Sequence, residues 1–383
     1  MPASWNRNRL TENLGIEYPL IQGPLGGLSS QRLTAEVSNF GGLGSCGAHG
    51  LAPEAIQDVI AQILSFTSKP FAMNLWVSME DEGARTSDDS AFNRSLAPLA
   101  VHLAALGAPR PAYKPYSPTR FEDQARVLLD ANVPAFSLIC GVPPREILNE
   151  CRAKSIVTIG TATTPDEAAL LQDAGVNAIV ASGFEAGGHR GSFLRSAEDS
   201  LTGTFSLVPQ IVDIVDVPVI AAGGIGDARG VVAALALGAD GVQLGTAFLA
   251  CEESGASLVH REALLGKAAG HTALTRSFTG RLARGIYNRL MEELNRKGTE
   301  ILPYPLQRGV VRNLSIAAEA AGRADLLPLW AGQSANLSAC TGVSAFCNSL
   351  PKEVSQLDAG HFALDTKAND IAALVQEFMS KQQ

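Results

Sequence analysis

An α/β fold, a closed (β/α)8 TIM barrel with a smaller helix-rich second domain, is what this sequence predicts, on three observations. From Tyr18 to about Thr246, short continuous apolar runs alternate with amphipathic helical segments. The runs lack the in–out alternation of a half-exposed strand, so they fit a parallel sheet covered on both faces. Eight such runs with their crossovers favour barrel closure over a doubly wound sheet, and the rhythm stops after Thr246.

Taken in order, the predicted strands are Pro19–Gln22, Gly42–Ser45, Phe71–Leu75, Ala135–Ile139, Ile156–Ile159, Ala178–Ala181, Val217–Ala221 and Gly241–Gln243. The segments between them include Pro53–Leu64, Phe121–Asp130, Pro165–Ala174, Ser206–Val215 and Ala228–Leu237. Two of these open on Ala-Pro or Thr-Pro, since proline suits the first helical position. The crossover over 78–117 is oversized, with an acidic Glu80-Asp81-Glu82 run and a Pro/Tyr-rich end, and reads as an excursion near the barrel mouth or a surface loop. The expected domains are a barrel over 10–250, a helix-rich substrate or cap domain over 251–330, and a return to the barrel with a C-terminal helix over 331–383.

Composition narrows the function. The 383 residues are 46% hydrophobic and only 6% aromatic, which suits an aliphatic α/β core. A net charge of −8 argues against a nucleic-acid partner, which requires a basic face. The six cysteines show neither CxxC nor zinc-type spacing and read as small buried hydrophobes of a reducing compartment. Met1–Arg9 lacks the apolar core of a signal peptide, and no uncharged apolar span is long enough to cross a membrane, so a cytoplasmic location is expected. The oligomeric state is left open, a homodimer included. There is no HExxH, GxSxG, Walker A sequence or carboxylate array, and no metal site is expected.

The chemistry concentrates after the sixth strand. The run from Asn177 ends in Ser182-Gly183-Phe184-Glu185-Ala186-Gly187-Gly188-His189-Arg190-Gly191, a glycine-rich bend carrying a histidine. Glycines let a backbone approach a ligand closely, and histidine moves protons near neutral pH. Glu185 is expected to order the loop or meet Arg190. Two further glycine turns, Gly223-Gly224 and Gly245-Thr246, follow strands seven and eight. Barrels commonly bind a phosphate there with backbone amides and a helix N-terminus. Thr246 adds a hydroxyl. His49 reads as structural or exposed, and Trp330 and Tyr287 as packing or pocket residues.

With these motifs in order, the chain resembles the nitronate monooxygenase family of FMN-dependent barrels, most nearly its class I branch. Tyr18–Ser29 resembles the flavin-side loop, Gly183–Gly191 the segment bearing the catalytic histidine, and Pro218–Gly224 and Gln243–Thr246 the flavin-phosphate loops. Phe71–Leu75 and Trp330–Ser334 add further matching segments, and the likeness covers about residues 10–340. The resemblance implies FMN contacts from Gly23, Pro24, Leu25, Asn74, Gly187 and Gly188. It implies phosphate contacts from Gly223, Gly224, Gln243, Leu244, Gly245 and Thr246, with Gln333 a further candidate near the cofactor. Leu25 stands where the family usually has Met, and Ser182 where many members have a Gln that reaches the flavin.

What the resemblance implies for function is oxidation of alkyl nitronates or nitroalkanes by O2, with propionate 3-nitronate the leading substrate. The products would be a carbonyl compound and nitrite or nitrate. His189 would either stabilise the nitronate as a cation or remove an α-proton as a neutral base, and the sequence does not choose. The rivals are an enoyl-thioester reductase, an NAD(P)H:quinone reductase, and a flavin-binding barrel without turnover.

Overall fold

The computed structural model describes residues 5–366 except 79, 116, 118 and 338–340, with the side chains beyond 357 left aside. Eight parallel strands form the central sheet. They are β1 (Leu20–Gln22), β2 (Gly44–Gly47), β3 (Phe71–Trp76), β4 (Ala135–Ile139), β5 (Val157–Ala162), β6 (Ala178–Ser182), β8 (Val219–Ala222) and β9 (Gly241–Leu244). The order is β1-β9-β8-β6-β5-β4-β3-β2. A parallel bridge between Ile21 and Leu43 joins the two ends, with the Gln22 amide donating to the Leu43 carbonyl at 2.9 Å. The sheet is a (β/α)8 TIM barrel.

The barrel's two faces explain the continuous apolar runs. Ala72, Ala135, Ala178, Val180 and Ile220 pack inward, together with Leu10 and Leu14 of the N-terminal helix Arg9–Leu14. The small alanines leave room for those two leucines, as a close-packed interior requires. Neighbouring strand residues such as Met73, Phe136 and Ile179 join the outer core beneath the helices. Asp240 ties the N-terminal helix to the sheet: it accepts from Arg9 Nε at 2.8 Å and from the Val219 amide at 2.9 Å.

The helices follow their sequence signals. Phe121–Asp130 and Pro165–Ala174 form over the predicted residues, the latter capped by the Thr164 side chain and closed by left-handed Gly175. The long helix Val343–Thr366 packs on Gln31–Phe40 and Ala228–Ala236, bringing Val343, Phe346, Leu350 and Val354 into the main core.

Three short strands lie outside the barrel and were not read from the sequence. β7 (Gly188–His189) pairs antiparallel with β11 (Ala283–Ile286), which pairs with β10 (Thr272–Thr275). The chain after Thr246 therefore carries strands as well as helices. The 78–117 excursion holds the helices Asp89–Leu96 and Ala100–Ala105. Phe92, Leu96, Leu99 and Leu103 pack with Val310, Val311 and Leu314 in a second apolar cluster. Among the described residues, no helix is long and apolar enough to cross a membrane. Cys46, Cys140, Cys151, Cys251 and Cys347 are buried, while Cys340 lies outside the described residues.

Candidate active site

The C-terminal ends of the barrel strands open into a cavity of about 870 Å³. Its floor comes from the loops after β1, β2, β3, β6, β8 and β9, and its walls from residues 278–279, 305–316 and 328–334. Side chains at this end of a barrel are free of the packing that fixes its other end, so chemistry collects here.

Most residues singled out from sequence meet there. Gly23, Pro24, Leu25, Asn74, Ser182, Gly187, Gly188, His189, Gly223, Gly224, Gln243, Gly245 and Thr246 all line the cavity. Two do not. Leu244 is fully buried in the barrel wall, and its carbonyl accepts from the Gly23 amide at 2.7 Å. Gln333 is exposed, and its backbone amide donates to the Glu185 carbonyl at 2.9 Å; its neighbours Gly332 and Ser334 face the cavity instead.

The glycine bends have steric causes. A Cβ on Gly187 would stand 2.6 Å from the carbonyl carbon of Ala331 and the amide of Gly332, so only glycine lets these two segments touch. Gly223 and Gly224 have φ of 105° and 73°, a region that side chains disfavour. Leu25 also sits at positive φ, 38°, held by the Leu28 and Ser29 amides donating to its carbonyl at 2.6 and 2.7 Å. Such strain in a non-glycine residue persists only where its surroundings impose it, typically at a ligand site.

Buried ionic groups fix the loops. Glu185 accepts from the Thr204 amide and hydroxyl, each at 3.0 Å, and so orders the bend; it makes no ion pair with Arg190. Arg190, 1% exposed, donates instead to the carbonyls of Gly183 at 2.7 Å and Ser182 at 2.8 Å. The helix Ala228–Ala236 was expected to offer its N-terminus to an anion. That end is occupied by Asp227, which accepts from the amides of Arg229 at 3.0 Å and Gly230 at 3.3 Å. A second anion would meet a carboxylate, so the glycine turns are left as the donors. Thr246 Oγ1 accepts from the Gly332 amide at 2.9 Å, and its proton has no acceptor among the described residues.

His189 stands in an aromatic cage. Its ring lies 5.0 Å from Trp76, 5.3 Å from Trp330 and 6.0 Å from Tyr304. Nε2 is 2.9 Å from Thr279 Oγ1, and that hydroxyl donates its single proton to the Arg281 carbonyl at 3.1 Å. When that proton goes to the carbonyl, Oγ1 accepts from Nε2–H and the ring's lone pair is on Nδ1. Burial pushes the His189 pKa well below its ordinary value, and nearby His49, Arg281 and Arg308 push the same way. At neutral pH the ring is uncharged.

Two site residues, His49 and Arg281, carried no signal of a site role in the sequence. His49 is buried and stacks on Trp76 with centroids 4.1 Å apart, and burial lowers its pKa to about 3. Its Nδ1 is buried without a partner in the described chain. Arg281 lies over Trp76 and Tyr304 and pairs with Asp81 at 2.6 Å, securing the excursion to the cage. Trp330 lines the cavity, whereas Tyr287 stacks on His271 away from it.

The family model described as nitronate monooxygenase matches residues 7–353. A probable nitronate monooxygenase of Staphylococcus aureus (strain Newman) is 39% identical over 354 residues, 92% of this chain and 99% of the relative. Among solved structures, a nitroalkane oxidase from Streptomyces ansochromogenes is similar at 34% identity and a TM-score of 0.83, covering 92% of this chain and 99% of its own. FabK from Thermotoga maritima is similar at 26% identity and a TM-score of 0.72, covering 93% and 99%. On a family match across nearly the whole chain, this protein belongs to the nitronate monooxygenase family of oxidoreductases.

Proposed function

We propose that the protein is an FMN-dependent enzyme that oxidises alkyl nitronates, propionate 3-nitronate first among them, with O2, giving a carbonyl compound and nitrite or nitrate. The observation that carries this reading is the meeting of His189 with both late glycine turns on one cavity. The residues present suit a flavin nucleotide. The turns at 223–224 and 245–246 put no bulky side chain between backbone and cavity, Thr246 has a hydroxyl proton to give, and the orphaned Nδ1 of His49 awaits a hydrogen bond. At about 870 Å³ the cavity has room for such a ligand.

Gly23, Pro24, Leu25, Asn74, Gly187 and Gly188 would hold the ring, with Gly223, Gly224, Gln243, Gly245 and Thr246 around the phosphate. Bound flavin supplies the electron-transfer chemistry, and the protein orients it. Nδ1 of neutral His189 is the base for the α-proton of a nitroalkane, with Thr279 fixing the tautomer and Trp76 and Trp330 holding the ring in place. The neutral form favours this role over that of a cation stabilising the nitronate. Residues from 251 to 330 supply the cap that excludes water from the reacting carbon.

The test is steady-state turnover of the FMN-loaded protein. O2 uptake and release of nitrite or nitrate with propionate 3-nitronate are expected. Turnover with NADH and an enoyl thioester or a quinone, and none with nitronates, would transfer the site to the reductases. Flavin binding without turnover of any of these would leave a binding barrel.

A further inference from the structure

The oversized excursion over 78–117 opens on the acidic run Glu80-Asp81-Glu82, and none of its described residues borders the cavity. Its first turn nonetheless reaches the back of the cage around His189. Arg281 Nε and Nη2 both donate to Asp81 Oδ1, at 2.9 and 2.6 Å, and Nη1 donates to the Ser78 carbonyl at 3.2 Å. The Asp81 amide in turn donates to the Tyr304 carbonyl at 3.0 Å. The guanidinium, only 8% exposed, lies 5.2 Å from the ring centroid of Trp76 and 4.6 Å from that of Tyr304. Neither Asp81 nor Arg281 borders the cavity, so the pair reaches the reacting atoms only through its neighbours.

Those neighbours converge on His189. The Arg281 carbonyl accepts from Thr279 Oγ1 at 3.1 Å, and that oxygen is 2.9 Å from His189 Nε2. Trp76 and Tyr304, under the same guanidinium, meet the imidazole edge to face at 5.0 and 6.0 Å. The chain just after Arg281 pairs with the histidine segment itself: Ala283 is in register with His189, and the Leu282 carbonyl accepts from the Arg190 amide at 2.9 Å. One arginine, by its side chain and its own carbonyl, thus touches Trp76, Tyr304 and Thr279 at once. Burying such a cation is costly, and apolar residues in place of a buried ion pair are often no less stable. The geometry that the pair fixes, and not its stability, accounts for its place behind the cage. Arginine suits the task, since its fork grips a carboxylate while its flat face lies on aromatic rings.

We propose that Asp81 and Arg281 are positioning residues for His189. The excursion supplies the carboxylate that locks Arg281, and Arg281 holds the tautomer and orientation of the imidazole through Thr279, Trp76 and Tyr304. The inference rests on the reading of His189 as the base for nitroalkanes.

The experiment compares the FMN-loaded full chain with Asp81→Ala, Asp81→Asn and Arg281→Lys on neutral nitroethane and on ethyl nitronate. Only nitroethane needs a base, because the nitronate has already lost its α-proton. Asp81→Ala and Arg281→Lys are expected to lower kcat on nitroethane relative to ethyl nitronate by about tenfold or more, the scale on which a small misplacement of reacting groups costs rate. KM is expected to change little, since neither residue touches substrate. Asp81→Asn keeps the accepting oxygen and is expected to lose less. If Arg281→Lys does not fold, the two Asp81 variants carry the comparison. A second arm needs no turnover: nitrogen-15 NMR of histidine-labelled protein at pH 7, with the His189 signals assigned by their loss in His189→Asn. Wild type is expected to show Nε2 protonated and Nδ1 bare, and Asp81→Ala a mixture of the two tautomers.

Equal losses on both substrates overturn the proposal, because a merely structural pair would weaken both alike. So does full nitroethane turnover in Asp81→Ala, or a single wild-type tautomer kept in that variant. If wild type oxidises the nitronate alone, or neither substrate, it is the reading of His189 as a base that fails, and the tautomer spectra alone decide for or against the pair.

Discussion

His189 is placed by two residues at a distance in sequence, Thr279 through Nε2 and Trp330 through its ring. Replacing it with asparagine should leave bound flavin in place and lower kcat on a nitroalkane by about 10²–10⁴-fold, the usual worth of a general base. The pH profile separates the two roles. A base acts in its neutral form, and burial lowers the pKa well below the ordinary 6.5. Activity on nitroalkanes due to His189 should therefore be full near pH 7 and fall only as pH drops through that lowered value. A cationic role would show the reverse, with activity lost as pH rises through it. His189 was legible in the sequence because a histidine in a Gly-Gly bend after a buried strand has few structural uses. His49 was not. Its turn reads as a surface feature, yet the Ala48 amide donates to the Asn74 carbonyl at 2.9 Å and pins it inward against Trp76. Gln333 shows the opposite limit: the segment was found, but which side chain of a turn faces a cavity depends on local backbone direction.

The loop after β6 works as an element because its glycines admit other backbones. Gly187→Ala should force the bend away from residues 331–332, since a Cβ there comes within 2.6 Å of backbone atoms that cannot rotate away. The expected result is a lower ratio of flavin to protein and a stability loss of about 1–3 kcal/mol, measured by absorbance and by denaturant midpoint. Full occupancy with an unchanged midpoint would mean that the contact does not constrain the site. Strands and helices of the barrel were readable because burial on both faces makes β8 continuously apolar, and because proline and a threonine cap mark Pro165–Ala174. β10 and β11 escaped for physical reasons. They are four residues each, and β11 pairs with a strand of two and contains Arg284, which donates to the distant Phe184 carbonyl at 2.9 Å. No local pattern encodes such a partner.

Across the whole molecule, burying neutral imidazoles couples stability to pH. His49 titrates at about 3 and His260 at about 4, both lowered first by burial, and His189 moves in the same direction. Depressed values mean that the unfolded chain binds these protons first. The stabilisation is thus complete above about pH 6.5 and declines as pH falls toward 4, by about 1.4 kcal/mol per pH unit for each proton taken up. Denaturant midpoints between pH 7 and 4 should show that slope, and His49→Gln should flatten it; a flat wild-type profile would contradict the burial of these rings. The barrel itself was legible at this scale from eight runs in rhythm. The packing of the excursion on Leu306–Ala320 was not, because it depends on segments far apart in sequence. The chemistry proposed for His189 requires one cavity that holds a flavin beside it. An anaerobic titration of the FMN-loaded protein tests this most directly, with the flavin spectrum followed on adding propionate 3-nitronate and, separately, NADH. Bleaching by the nitronate and not by NADH is the predicted result. Bleaching by NADH alone, or flavin that does not copurify and cannot be loaded, would contradict it.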